Sequence, residues 1–268
     1  MKSENILDHY GQRNKAFLHG GGKKATEQLI TLMALKGTEK VLEIGFGTGG
    51  TQVRLKSKFP KLDLFGIERS EVMLRKAKSR LRWAMLPSNQ LFIDDGKNQH
   101  YPFPSMVFDV VFFESVFGIL SMDEIKRNLA KVRRILKPGG KLVLNESIWL
   151  SDIPREKIRD INNQVKADFG IVLAHEELIT IQHWKEFLST EGFDIQSVQN
   201  VMPTFKYQGY GLRDILSLTY SYIGKIMTGF SRQTKKFNRL TKVSRQSLMA
   251  PGKQYIDAYL LMAKVKHK

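Results

Sequence analysis

The sequence predicts an α/β fold built on a mostly parallel seven-stranded sheet with an antiparallel C-terminal hairpin and a helical insertion, and three observations carry that prediction. From Glu39 onward, short β-branched or aromatic runs alternate with amphipathic helical stretches, the pattern of a parallel sheet covered on both faces. A glycine-rich turn, Gly45-Phe46-Gly47-Thr48-Gly49-Gly50, follows the first of those runs and leads into a helical stretch. The last two apolar runs have no β-α-β signal between them, so they read as a hairpin interrupted by an insertion rather than as another parallel unit.

Taken in order, strands are predicted at Lys40–Ile44, Leu62–Ile67, Gln90–Ile93, Asp109–Phe113, Lys141–Asn145, Phe193–Val198 and Tyr255–Val265. Crossover helices fall at Gly50–Lys58, Glu71–Ala84 and Met122–Ile135; Leu74, Ala77 and Leu81 form one apolar stripe. Ser121 and Glu124 have capping-box spacing, and Lys137-Pro138-Gly139-Gly140 is a helix stop. Residues 151–174 read as a polar, mixed stretch, and a further helix is expected at Ile181–Thr190. The domain plan is one unit: residues 1–38 as a lid or cap, 39–201 as the core, 202–252 as a basic helical insertion and 253–268 as the last strand.

At 268 residues and 42% hydrophobic content the chain can bury one substantial core. The absence of cysteine excludes disulfides, thiolate metal sites and cysteine nucleophiles, and fits a reducing cytoplasm. No signal peptide is read at the N-terminus, and no apolar stretch is long enough to span a bilayer. Net charge is +17, so anionic ligands, nucleic acid and acidic membrane surfaces all enter as partners. The excess concentrates between Thr204 and Lys253, where ten Lys/Arg stand against Asp214 alone.

A strand, a glycine turn and a helix N-terminus suit a ligand that approaches the backbone too closely for a Cβ. Gly45, Gly47 and Gly50 satisfy a dinucleotide fingerprint, while Glu43, Gly45, Gly47 and Gly49 satisfy a tighter spacing. Further signals fall at successive strand ends, where open α/β sheets bind ligands: Glu68-Arg69 after the second strand, Asp94-Asp95-Gly96 after the third, Glu114-Ser115 after the fourth. A carboxylate at the second end suits two ribose hydroxyls, and one at the third suits an adenine amino group.

On these residues, and on Tyr101-Pro102-Phe103-Pro104…Phe108-Asp109, Leu136-Lys137-Pro138-Gly139-Gly140 and Trp184…Gly192-Phe193, the sequence resembles the class I (Rossmann-like) S-adenosylmethionine-dependent methyltransferases, in the small-molecule branch that includes the quinone-biosynthesis C-methyltransferases. The resemblance spans about Phe17 to Gly192. It implies S-adenosyl-L-methionine as cofactor, with Glu43, Gly45, Phe46, Gly47 and Gly49 at its amino-acid end, Glu68 and Arg69 at the ribose, and Asp94 or Asp95 with Gly96 at the adenine. It also implies methyl transfer to a small or lipid-like acceptor, mainly by positioning for in-line displacement. Tyr10 and the His19-Gly20-Gly21-Gly22 segment read either as a lid over the cofactor or as a polar turn capping the next helix. If a base is used, His19 or Glu114 is expected to supply it, with Tyr10 beside the reacting methyl. An RNA methyltransferase, favoured by charge alone, and a non-catalytic cofactor-binding protein are the competing readings. His175, Glu176, Glu177 and His183 lack ligand spacing, so no metal is expected.

The insertion carries Leu212, Ile215, Leu216, Ile223 and Met227 at helical spacing, then Lys235, Lys236, Arg239, Lys242 and Arg245. The apolar stripe is expected either to pack on the domain or to roof the acceptor pocket, and the cations to be solvated or to meet an anionic substrate group or an acidic membrane surface. A cytoplasmic protein peripheral to a membrane is the localisation this implies.

Overall fold

The computed structural model describes residues 5–94, 96–206, 209–248 and 254–266. Seven strands form one sheet: β1 (Lys40–Ile44), β2 (Asp63–Glu68), β3 (Leu91–Ile93), β4 (Phe108–Glu114), β5 (Leu136–Trp149), β6 (Phe193–Asn200) and β7 (Ile256–Val265). Their order is β3-β2-β1-β4-β5-β7-β6, with β7 antiparallel to both β5 and β6. All seven predicted strands exist. β5 is longer than expected, because Leu136 pairs with Phe108 and the ladder slips between Phe108 and Val110 before Lys141 resumes it, so Pro138-Gly139-Gly140 lies within the strand.

Period-two alternation sorts the strand residues to two faces. Leu42, Ile44, Val111, Phe113, Leu142 and Leu144 pack in one layer with Ile125, Leu129 and Val132 of α5 (Met122–Ile135) and with Trp184 of α7 (Ile181–Thr190). Val41, Val110, Phe112 and Val143 pack on the other, with Leu29, Ile30 and Met33 of α2 (Gly22–Met33) and Leu55 of α3 (Gly50–Lys58). The Ser121–Glu124 capping box forms at the start of α5.

Residues 151–174, read as a mixed stretch, contain a helix instead. In α6 (Arg155–Phe169) Ile158, Ile161, Val165 and Phe169 are buried at three- and four-residue spacing, and the many charges between them obscure that stripe in the sequence. The N-terminal segment holds α1 (Ile6–Gln12) ahead of α2.

The insertion is two helices, α8 (Leu212–Thr228) and α9 (Arg232–Leu248). The first packs on α3 and α4 (Glu71–Trp83), the second on α1 and α6. The expected burial of its apolar stripe is reversed. Asp214, Ser217 and Gly224 face the domain, while Leu212, Ile215, Ile223 and Met227 are exposed. The cause is polar: Arg54 Nη1 donates to Asp214 Oδ2 at 2.8 Å, and the fully buried Arg80 Nη1 donates to Ser217 O at 2.8 Å and Ser221 Oγ at 3.0 Å. Two buried guanidiniums thus select the hydroxyl and carboxylate side of α8.

Candidate active site

The strand order reverses between β1 and β4, which opens a crevice at their carboxyl ends. A cleft of about 570 Å³ lies there, lined by Glu43, Gly45, Phe46, Gly47, Glu68, Arg69, Asp94 and Gly96 among others. Gly49 does not line it. Its left-handed backbone (φ 78°) starts α3, and a Cβ would lie 3.0 Å from Ala77 Cβ, so this glycine serves the packing of α3 on α4. Asp95 lies outside the described residues.

Three carboxylates of the cleft, Glu43, Glu68 and Asp94, are anchored by hydrogen bonds. Glu68 Oε2 accepts from Gly47 N–H and Oε1 from Arg69 and Ser70 N–H, each at 2.9 Å. Burial still raises its pKa, against those three donors. Glu43 accepts from Gln52 Nε2 at 2.7 Å, and burial, then the neighbouring Glu114 charge, push its carboxyl well above the usual range. Asp94 Oδ1 accepts from Gly96 N–H at 2.9 Å, whereas its buried Oδ2 accepts no hydrogen bond and stands 3.7 Å from Lys131 Nζ.

Residues 14–19 cross the glycine turn as a strap. Arg80 holds Asn14 O, and Thr48 Oγ1 donates to Lys15 O. Ala16 O comes so close to Gly50 that a Cβ there would lie 2.1 Å away. At Gly47 (φ 53°) a Cβ would meet Leu18 Cδ1 at 2.9 Å, so the strap as well as the ligand space keeps that position bare. His19 follows, its Nε2 3.1 Å from Glu114 Oε2 and its Nδ1 3.1 Å from Asn145 Nδ2. Thr26 and Thr51 hydroxyls donate to the two Glu114 oxygens at 2.8 and 2.6 Å.

Beyond His19 opens a second, mostly apolar cavity of about 850 Å³, lined by Tyr10, Val165, Phe169, Leu173 and Tyr255 among others, and by Glu146. His19, Leu18, Ser115 and Ile119 line both spaces. Tyr10, expected beside the methyl, lines the second and not the cofactor-sized cleft, and its ring faces Lys15 Nζ at 3.7 Å.

Residues 41–140 match a methyltransferase domain model. The chain is 30% identical over 143 residues to the demethylmenaquinone methyltransferase of Thermotoga maritima, covering 53% of this chain. It is 32% identical over 149 residues to the ubiquinone/menaquinone biosynthesis C-methyltransferase of Ralstonia pickettii, covering 54% of this chain. Each alignment spans 58% of the relative's length. Among solved structures, Haemonchus contortus phosphoethanolamine N-methyltransferase 2, in complex with phosphomonomethylethanolamine and S-adenosylhomocysteine, superposes with a TM-score of 0.67 at 19% identity, over 99% of this chain and 58% of that one. Residues 41–140 are thus similar to a methyltransferase domain, and the fold is shared with that Haemonchus enzyme.

The cleft fits S-adenosylmethionine. Its glycine cradle leaves the backbone bare, Glu68 presents a carboxylate at the end of β2, and the buried Asp94 Oδ2, ion-paired with Lys131 at 3.7 Å, accepts no hydrogen bond from the protein. An adenine amino group is a donor of the kind that this oxygen could accept.

One functional group escaped the sequence reading. Glu146, on β5, is buried and faces the second cavity, where its Oε1 accepts from Val116 and Phe117 N–H at 3.0 Å and its Oε2 from Gly118 N–H at 3.3 Å. Burial raises its pKa to about 7, against those bonds. Its signal was Asn145-Glu146 inside an otherwise apolar strand, a polar pair where the alternation predicts core. His175 and His183 accept backbone N–H bonds at a turn and a helix cap, and His9 is buried against Phe237.

Proposed function

We propose that this methyltransferase moves the methyl of S-adenosylmethionine onto a small, largely apolar acceptor seated in the second cavity, with Glu146 taking the acceptor's proton. The observation that carries this reading is the junction at His19: a cofactor-sized cleft and an apolar cavity share one wall, and that wall holds the ring. When bound, the cofactor supplies a methyl on a positive sulfur. A lone pair of the acceptor forms the new bond, and the methyl–sulfur pair leaves on sulfur.

The chain's part is alignment and exclusion of water. Glu43, Glu68 and Asp94 would hold the cofactor from end to end, beneath the strap of residues 14–19. The expected base role of Glu114 passes to Glu146 because Glu146 lines the second cavity and Glu114 does not, and His19, in contact with Thr26, Glu114 and Asn145, is read as a positioning residue. Glu146 faces the acceptor side with a pKa of about 7, near the optimum for a base working at neutral pH. The similarity to quinone-ring methyltransferases supports an aromatic or quinol acceptor, which the apolar lining would seat.

The test is a screen of phenols, quinols and amines for S-adenosylhomocysteine formation, followed by pH profiles on the best acceptor. Turnover should rise with pH through about 7, and Glu146→Gln should flatten that limb and lower kcat about 10²–10⁴-fold. A profile unchanged in Glu146→Gln removes it as the base, and turnover confined to charged, hydrophilic acceptors removes the apolar assignment.

A further inference from the structure

A soluble domain ordinarily buries the apolar side of a surface helix, and α8 does the reverse. Seen down its axis, Leu212, Ile215, Tyr222, Ile223, Ile226 and Met227 fall on one side, and Phe230 continues that side past its end. Leu212 is 62% exposed, Met227 79% and Phe230 89%. The opposite side is fixed to the domain. Asp214 is held by Arg54 and by Ser57 Oγ at 2.7 Å, and Gly224 lies so close to Arg13 O that a Cβ would stand 2.5 Å away. The helix therefore cannot roll to hide its stripe without breaking the buried guanidinium bonds.

After Gly229-Phe230-Ser231 the chain enters α9, which has no acidic residue. Its outward positions are Arg232, Lys235, Lys236, Arg239 and Lys242, all exposed, while Thr234 and Phe237 face inward. An outward apolar helix is thus joined by a short turn to an outward cationic one. Between them lies a third cavity of about 750 Å³, lined by Tyr222 and Lys225 from α8 and by Asn238 and Thr241 from α9. Tyr10, Lys15, His19 and Thr241 line both this cavity and the apolar one behind it.

We propose that the α8–α9 hairpin seats the enzyme on an anionic lipid bilayer, with the α8 stripe in the headgroup–acyl boundary and the α9 cations over acidic headgroups. Apolar side chains with adjacent Lys/Arg are what an interfacial helix needs, and neither helix is long and apolar enough to cross the membrane among the described residues. Charge selects the occupant. A second copy would bring the same five cations, on a chain of net +17, against themselves, whereas acidic headgroups neutralise them. The cavity between the helices then opens toward the bilayer and leads to His19, so a lipid-soluble acceptor reaches the methyl without crossing water. Docking rests on the exposed faces alone, and only this delivery role rests on the function proposed above.

Vesicle flotation tests docking without any acceptor, so it fails or succeeds independently of turnover. Phosphatidylcholine vesicles with phosphatidylglycerol should capture the protein at least about tenfold better than phosphatidylcholine alone, the difference shrinking as salt rises. Lys235→Gln with Lys236→Gln and Arg239→Gln should cut capture by about two orders of magnitude. Met227→Glu with Phe230→Glu should cut it about tenfold or more. All five positions are exposed, so circular dichroism and S-adenosylmethionine affinity should stay as in the parent. Equal capture by both vesicle types, or capture unmoved by both variants, overturns the proposal. So does a stripe-dependent dimer in light scattering that leaves no vesicle binding, since the face would then join two copies.

Discussion

Glu146 couples the second cavity to the stability of the whole fold, and the coupling has a definite size. Its carboxyl has a pKa of about 7 in the folded chain against 4.5 for the free group, because burial disfavours the charge more than three backbone N–H donors favour it. A raised carboxyl pKa means the folded state binds this proton more tightly than the unfolded one. The contribution is therefore fully present below pH 4.5 and is lost as pH rises through 7. Integrating the proton linkage between pH 5 and pH 8 gives a loss of about 2.5 kcal/mol from this group. Glu43 and Glu68, also raised, add to the pH dependence of the parent, so the quantity to measure is a difference. Urea unfolding of the parent and of Glu146→Gln at both pH values isolates it. Gln keeps the Oε1 acceptor for Val116 and Phe117 and sets its NH₂ against Gly118 N–H, a cost that is the same at both pH values. Relative to the variant, the parent should lose about 2.5 kcal/mol on going from pH 5 to pH 8. A difference unchanged between the two pH values would mean that Glu146 is ionised throughout, and would remove it as a base tuned to neutrality.

Glu68→Gln keeps the shape but replaces one acceptor with a donor facing Gly47 or Arg69 N–H, and should weaken S-adenosylmethionine binding by about 1.5–3 kcal/mol in calorimetry; unchanged affinity in a folded protein would refute the ribose assignment. Gly47→Val puts a branched side chain at φ 53° against Leu18, and should abolish cofactor binding while costing about 1–3 kcal/mol of stability; normal turnover would make the turn a mere connector. Arg80→Met retains the stem but strips donors from Asn14 O, Thr48 O and Ser217, and should cost about 3–5 kcal/mol by denaturant titration. A loss under about 1 kcal/mol would show that α8 is held by other means.

The sheet was legible because its strands are buried on both faces and read as continuous apolar runs, and because glycine and acid recur at successive strand ends. The cleft followed from the same spacing, except that Gly49 turned out to serve helix packing, a distinction that depends on how α4 approaches it. What could not be read was long-range. Arg54 and Arg80 lie in amphipathic helices as two basic residues among many, and nothing local says that they are buried and clamp the insertion 137 and 160 residues away. Because of that clamp, the periodicity of α8 was found correctly and its direction was not. Glu146 was hidden for the opposite reason: an acid in a core strand looks like an interruption until the turn at residues 116–118 wraps its backbone donors around it.

The strap over the glycine turn forms part of the wall of both cavities, through Leu18 and His19. If filling one cavity restricts residues 14–19 further, that ordering is already made when the second is filled, and each occupant should then raise the other's affinity by the same factor.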